Sequence, residues 1–184
     1  MSGSTFVLGL DPGFRNLGYS VMEIASWGQK VHVAGAFKTD KSDKKRKVLA
    51  ADDNFRRGRE ISKFLNELME QWKVSAICTE AMSFPRNAGA AVKIAIAWGV
   101  IVALAERRRL AVVQASPQEI KLALCGSKSA SKEDVEAAVE KLYSVAPLLE
   151  GTARTFHEHA YDSVAAIVTC VDSDVMQAIR NLVA

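Results

Sequence analysis

The chain has 184 residues, 49% of them hydrophobic and 24% charged, with a formal net charge of +3. That is the make-up of one ordinary folded domain, residues 1–184, long enough for a real core. It excludes a strongly basic chain, so any nucleic-acid role has to rest on local clusters of charge. Three widely spaced cysteines, Cys78, Cys125 and Cys170, exclude a disulfide framework or a zinc knuckle. Two of them sit inside apolar runs and read as core residues. Met1 to Thr5 is polar and carries no signal-peptide pattern, so the expected compartment is a reducing cytoplasm, not the secreted space.

Phe6–Leu10, Gly18–Ile24 and Val31–Phe37 read as three strands joined by short turns, an antiparallel meander. A Lys-rich polar loop covers Lys38 to Lys47. A helix from about Val48 to Trp72 follows, because Ile61, Phe64, Leu65, Leu68, Met69 and Trp72 recur at spacings of three and four. Val74–Glu80 is a fourth strand, Ala88–Arg109 a second helix and Ala111–Ala115 a fifth strand. Ser116–Glu119, "SPQE", is a capping box with Pro at the first helical position. Ser131–Asp134, "SKED", starts another helix with acids in its first turn. The last helix begins near Thr155 and runs to about Asp172 or beyond.

The second helix is apolar on nearly every side. Lys93 interrupts it, and only twelve uncharged residues run from Ile94 to Ala105, short of the roughly 20 that a membrane span needs. It is expected to be covered on nearly every side, as a central helix or by a second copy of the chain. The strand–helix–strand–helix–strand stretch implies right-handed crossovers, with the first, fourth and fifth strands parallel. The fold class is therefore α/β, a mixed five-stranded sheet flanked by helices.

Two of those strands end in acids. Asp11 shares a face with Val7 and Gly9, and Glu80 shares a face with Ala76 and Cys78. On neighbouring strands the two lie about 4.8 Å apart. Carboxylates that close repel by roughly 4 kcal/mol at an effective dielectric near 20. A shared proton, an arginine or a metal ion has to offset this, and an all-oxygen set suits Mg²⁺. Taken singly, Asp11 is explained as well by the turn "DPG" that it opens. The last helix offers a third acid: His159 and Asp162 share a face, and so do Glu158 and Asp162. His157 and His159 are two apart and cannot meet one ion from a regular helix. Glu158 is also placed to complement a helix dipole.

Four motifs carry a resemblance. "LGLDPGFRNLGYSV", "ICTEAMSFPRNAGAAVKIAIAWGVIVALA", "SPQEIKLALCGSKSASKEDV" and "HAYDSVAAIVT" together resemble the RuvC-type Holliday-junction resolvases, of the ribonuclease-H-like nuclease superfamily. They stand in the family's order and spacing over most of the chain, and the loop before the first helix matches least. The resemblance implies a ribonuclease-H-like fold and a catalytic, metal-binding set of Asp11, Glu80, His159 and Asp162, so it favours His159 over Glu158. It implies that Lys121 and Lys132 lie near the scissile phosphate, with Lys132 counted as catalytic. Arg15, Arg86, Asn87 and Lys128 are further DNA contacts on the same basis. Phe84 would supply the family's aromatic wedge, one residue beyond Ser83 at the matching spacing.

The implied reaction is hydrolysis of a DNA phosphodiester with two Mg²⁺ ions, for which Mn²⁺ can substitute. The implied substrate is a four-way junction cut by paired symmetric nicks, and the implied assembly is a homodimer, whose two-fold symmetry matches that of the junction. The basic clusters Lys38–Lys47, with Lys44, Lys45 and Arg46 as expected DNA contacts, Arg56–Arg59 and Arg107–Arg109 provide phosphate-binding surface. Competing readings are a broader fork or flap nuclease, an enzyme acting on RNA in hybrids, and a junction binder that does not cut. Half of an actin-like or sugar-kinase-like ATPase also begins with an apolar strand ending in Asp and Gly, but it needs a second lobe. The expected source is bacterial, phage or organellar.

Overall fold

The computed structural model describes residues 4–43, 45, 47–82, 85 and 87–183. Lys44, Arg46, Phe84 and Arg86, four expected DNA contacts, lie outside the described residues. The strands are β1 (Thr5–Asp11), β2 (Asn16–Ala25), β3 (Gly28–Lys38), β4 (Ala76–Glu80) and β5 (Ala111–Ala115). The helices are α1 (Ala50–Gln71), α2 (Ala88–Arg108), α3 (Pro117–Cys125), α4 (Lys132–Tyr143), α5 (His157–Cys170) and α6 (Asp174–Val183). The sheet order is β3-β2-β1-β4-β5. β1–β2 and β2–β3 are antiparallel, while β1–β4 and β4–β5 are parallel.

Alternation along the strands sorts the core into two halves. Val7, Ala76 and Cys78 pack with Val164, Ile167 and other residues of α5. Leu8, Leu10 and Ile77 pack with Ile61 and Leu65 of α1 and Ile101 of α2. Each large apolar side chain buried this way contributes about 1.5–3 kcal/mol. α5 contacts all five strands, so its first turn is held over the sheet. α3 and α4 flank it on the same face.

The helix expected from near Thr155 to about Asp172 is α5, and a separate helix follows it. α5 stops at Cys170, and α6 restarts beyond Ser173, whose hydroxyl accepts from Met176 N at 3.4 Å. The run Asp172-Ser173-Asp174 favours a cap over a helix interior. α3 and α4 begin where their capping boxes predict, at Ser116 and Ser131.

α2 is covered by its own chain on one side only, which leaves a second copy as the expected cover for the other. It has the length and hydropathy of a membrane span, yet only 28% of its most apolar window is buried. Ala97, Trp98, Ile101, Leu104 and Ala105 enter the core. Val92, Ala95, Gly99 and Val102 form an exposed stripe of small and apolar residues on the other side.

Candidate active site

The register between β1 and β4 ends at Leu10 opposite Thr79. One step further, Asp11 and Glu80 lie side by side at the C-terminal ends of the two parallel strands. Both face the α5 side. β2 brings Gly18 opposite Asp11 on the other flank. A Cβ on Gly18 would overlap the carbonyl of His159 and lie 2.9 Å from the Asp11 Cβ. A bare backbone there lets the first turn of α5 settle onto the sheet, which is what a glycine inside a strand often signals. Gly9 does the same one turn of α5 further along, beneath the Ser163 carbonyl and Ile167.

A cleft of about 360 Å³ results, lined among others by Asp11, Glu80, Lys121, Lys132, His159 and Asp162. The cleft thus brings together the expected catalytic set of Asp11, Glu80, His159, Asp162 and Lys132, with Lys121 at its wall. The nitrogen Nδ1 of His159 lies 2.7 Å from Asp11 Oδ2. Its Nε2 lies 3.3 Å from the Asn16 amide nitrogen. The consistent tautomer has Nδ1–H donating to Asp11 and Nε2 accepting from Asn16. Lys132, the first residue of α4, donates to Glu158 Oε2 at 2.9 Å. Glu158 therefore holds Lys132 and does not line the cleft, so the His159–Asp162 pair is the one the fold brings in.

Electrostatics follow from this crowding. Burial, and then the charges of Asp11 and Asp162, push the Glu80 pKa up to about 7, with Lys132 opposing. Burial and the Asp11 charge push Asp162 up to about 6, with Lys132 and His159 opposing. The hydrogen bond to Asp11 raises the His159 pKa, and the bond to Glu158 raises that of Lys132.

Each raised carboxylate binds more protons in the folded state, so its folding contribution is lost as pH rises from about 4 to about 7. The raised His159 acts in the same direction above its ordinary value. With metal removed, the protein is expected to be less stable at pH 8 than at pH 5 by on the order of 3 kcal/mol after solvent screening. That corresponds to roughly 5–10 °C in melting temperature. Equal melting temperatures at the two pH values in EDTA would show that the acids are not strained together.

Other expected residues lie elsewhere. Lys128 is exposed in the loop after α3 and does not line the cleft. Asn87 caps α2, its side chain accepting from Ala90 N at 3.1 Å. Arg15 is exposed and lines a separate cavity, and Lys45 is exposed beside Asp43. His157 contacts the Thr152 carbonyl at 3.3 Å, away from the cleft. Asn16 and Gly18 were not anticipated. The signal for Gly18 was its place in a strand; Asn16 carried none.

The family model for crossover junction endodeoxyribonuclease RuvC matches residues 7–170. The chain belongs to the RuvC family. A RuvC crossover junction endodeoxyribonuclease from Pseudothermotoga lettingae is 32% identical over 146 residues, 77% of this chain and 82% of that protein. One from Prochlorococcus marinus is 32% identical over 133 residues, 72% of this chain and 78% of that protein. The structure of Thermus thermophilus RuvC in complex with a Holliday junction substrate superposes with a TM-score of 0.73 at 22% identity, covering 95% of this chain and 97% of that one. The yeast mitochondrial Holliday junction resolvase Ydc2 gives 0.65 at 14% identity, covering 96% and 80%. Those two likenesses establish the shared RuvC-like fold, and the expected ribonuclease-H-like α/β architecture is the one observed.

Proposed function

We propose that this chain is a single-domain endonuclease that resolves four-way DNA junctions by paired symmetric nicks, with Mg²⁺ as its metal. The observation that carries the site is the convergence of Asp11, Glu80 and Asp162 from β1, β4 and α5 on one cleft beside Lys132. The donors fit a hard divalent cation: they are carboxylates, and two have raised pKa values that a bound cation would relieve. Among the described residues no three His, Cys, Asp or Glu side chains are already drawn together around one point. Two Mg²⁺ ions held by Asp11, Glu80 and Asp162 would supply an activated water and stabilise the leaving 3′ oxygen.

The chain's own groups do the rest. His159 donates from Nδ1 to Asp11 and fixes that carboxylate's orientation. Both of its nitrogens are engaged, which supports an orienting role over direct metal ligation. Lys132, steadied by Glu158, offers positive charge where charge builds on the phosphate. Lys121 adds a second cation at the cleft wall.

A four-way junction, a fork and a linear duplex, each with and without Mg²⁺, test the reading. Symmetric Mg²⁺-dependent nicks on the junction alone are expected. Uniform nicking of all three would replace it with a general nuclease, and binding without cutting would replace it with a junction binder. A calorimetric readout stands apart from activity: Mg²⁺ should raise the melting temperature more at pH 8 than at pH 5.

The active assembly is a homodimer through the exposed stripe of α2, where Ala95 and Gly99 allow two helices to approach closely. Val102→Glu places a charge in that stripe without touching the core face. It is expected to halve the mass measured by light scattering while leaving the fold intact. A variant of unchanged mass would move the interface elsewhere.

A further inference from the structure

A second basic cavity, of about 560 Å³, opens on the α1–α2 side of the sheet and is lined by Arg15, Thr39, Asp40, Lys41, Arg57 and Lys93. Arg57 is 2% exposed. Its guanidinium carbon lies 4.3 Å above the Phe14 ring centroid. Nε donates to Thr39 Oγ1 at 3.0 Å, and Nη2 donates to the Thr39 carbonyl at 3.3 Å. Nη1 is buried and has no hydrogen-bond partner among the described residues.

Arginine keeps its proton in such a place. A full charge is therefore buried against neutral oxygens and a ring face, whereas buried charges are ordinarily paired. The neighbouring acid Asp53 is taken by Arg56 at 2.7 Å and by Ser42. Asp40 is taken by Lys38 at 3.0 Å. A purely architectural role accounts for Nε and Nη2, which tie the end of β3 to the turn after β1. It leaves Nη1 unused, and it does not explain three more cations around the same cavity.

The cavity's position adds to this. Thr39 N–H donates to the Arg15 carbonyl at 2.8 Å, and Arg15 follows the turn that Asp11 opens. Cavity and catalytic cleft thus share one edge of the sheet, on opposite faces. DNA lying across that edge would reach both.

We propose that this cavity is a second phosphate pocket, in which Arg57, Arg15, Lys41 and Lys93 take a backbone phosphate of the junction away from the scissile bond. The assignment rests on the junction reading of the catalytic cleft. Its recognition chemistry is a phosphate group, so a free phosphate ion is the alternative source.

Junction affinity in EDTA, measured by fluorescence anisotropy from about 50 to 200 mM salt, tests it. The double variant Lys41→Gln/Lys93→Gln is expected to bind about ten-fold more weakly and to flatten the log–log salt slope by about 1–2, with an unchanged melting temperature. Wild-type affinity and slope in that variant would overturn the DNA assignment. Inorganic phosphate titrated into ¹⁵N-labelled protein separates the sources. Shifts of the Arg57 guanidinium signals in the wild type and not in the variant support a phosphate pocket. Those shifts combined with an unchanged junction slope overturn the backbone-phosphate assignment in favour of a free anion. If the wild type binds junction no better than duplex, the functional reading of the cleft falls instead. The phosphate titration then decides the pocket alone, and no shift at Arg57 overturns it.

Discussion

Asp11→Asn is expected to lower junction cleavage by roughly a thousand-fold or more while leaving junction affinity within about two-fold. The amide keeps the shape of the side chain and an oxygen that accepts from His159 Nδ1–H. It loses the charge that a divalent cation requires. Asp11 is flanked by Glu80 on β4 and faces Asp162 and His159 from α5, so no neighbour can replace it at the centre of the set. Phosphate contacts, which dominate DNA affinity, are proposed for other residues. The same substitution has a second signature. The Asp11 charge helps to raise both Glu80 and Asp162, so their pKa values should fall in the variant. The metal-free variant should accordingly lose less stability between pH 5 and pH 8 than the wild type does. Normal Mg²⁺-dependent cutting by Asp11→Asn would place the active site elsewhere.

Gly18→Ala is expected to damage the site without altering any of its polar side chains. The added methyl would overlap the His159 carbonyl and crowd the Asp11 Cβ. Both neighbours are backbone or close to it, so neither can swing aside. Overpacking of this kind costs about 1–3 kcal/mol, which lowers the melting temperature by several degrees. The larger effect is on the chemistry. Relief requires the first turn of α5 to lift off the sheet, which separates His159 from Asp11 and withdraws Asp162. A displacement near 1 Å at a catalytic centre costs on the order of a hundred-fold in rate. Single-turnover cleavage at saturating protein measures it. A rate and melting temperature equal to the wild type would show that α5 does not need this slot.

Much of the fold and of the candidate site is legible in the sequence alone. Strand alternation alone put Asp11 and Glu80 on the face of Val7 and Ala76, and that face carries the cleft. The capping boxes at Ser116 and Ser131 set the starts of α3 and α4, and with the second of these the place of Lys132. Choosing His159 over Glu158 needed the family resemblance, because both share a face with Asp162. What stayed hidden depends on docking between distant segments. Asn16 matters because a helix 143 residues later sets His159 beside it. Arg57 reads as one more basic residue in a charged run until α1 turns it inward beneath Thr39. Hydropathy along α2 could not say which side the chain itself would cover.

α2 is joined at both ends to strands of the catalytic half of the sheet. It begins at the Asn87 cap, seven residues after Glu80 closes β4, and ends at the left-handed cap Arg109, two residues before β5. A dimer built on its exposed stripe would make the helix pair a rigid gauge between two cutting centres. The separation of paired nicks would then depend on how closely the rods cross at Gly99, and not on the length of any loop. Enlarging that residue should alter the offset between the two nicks before it alters the rate of either.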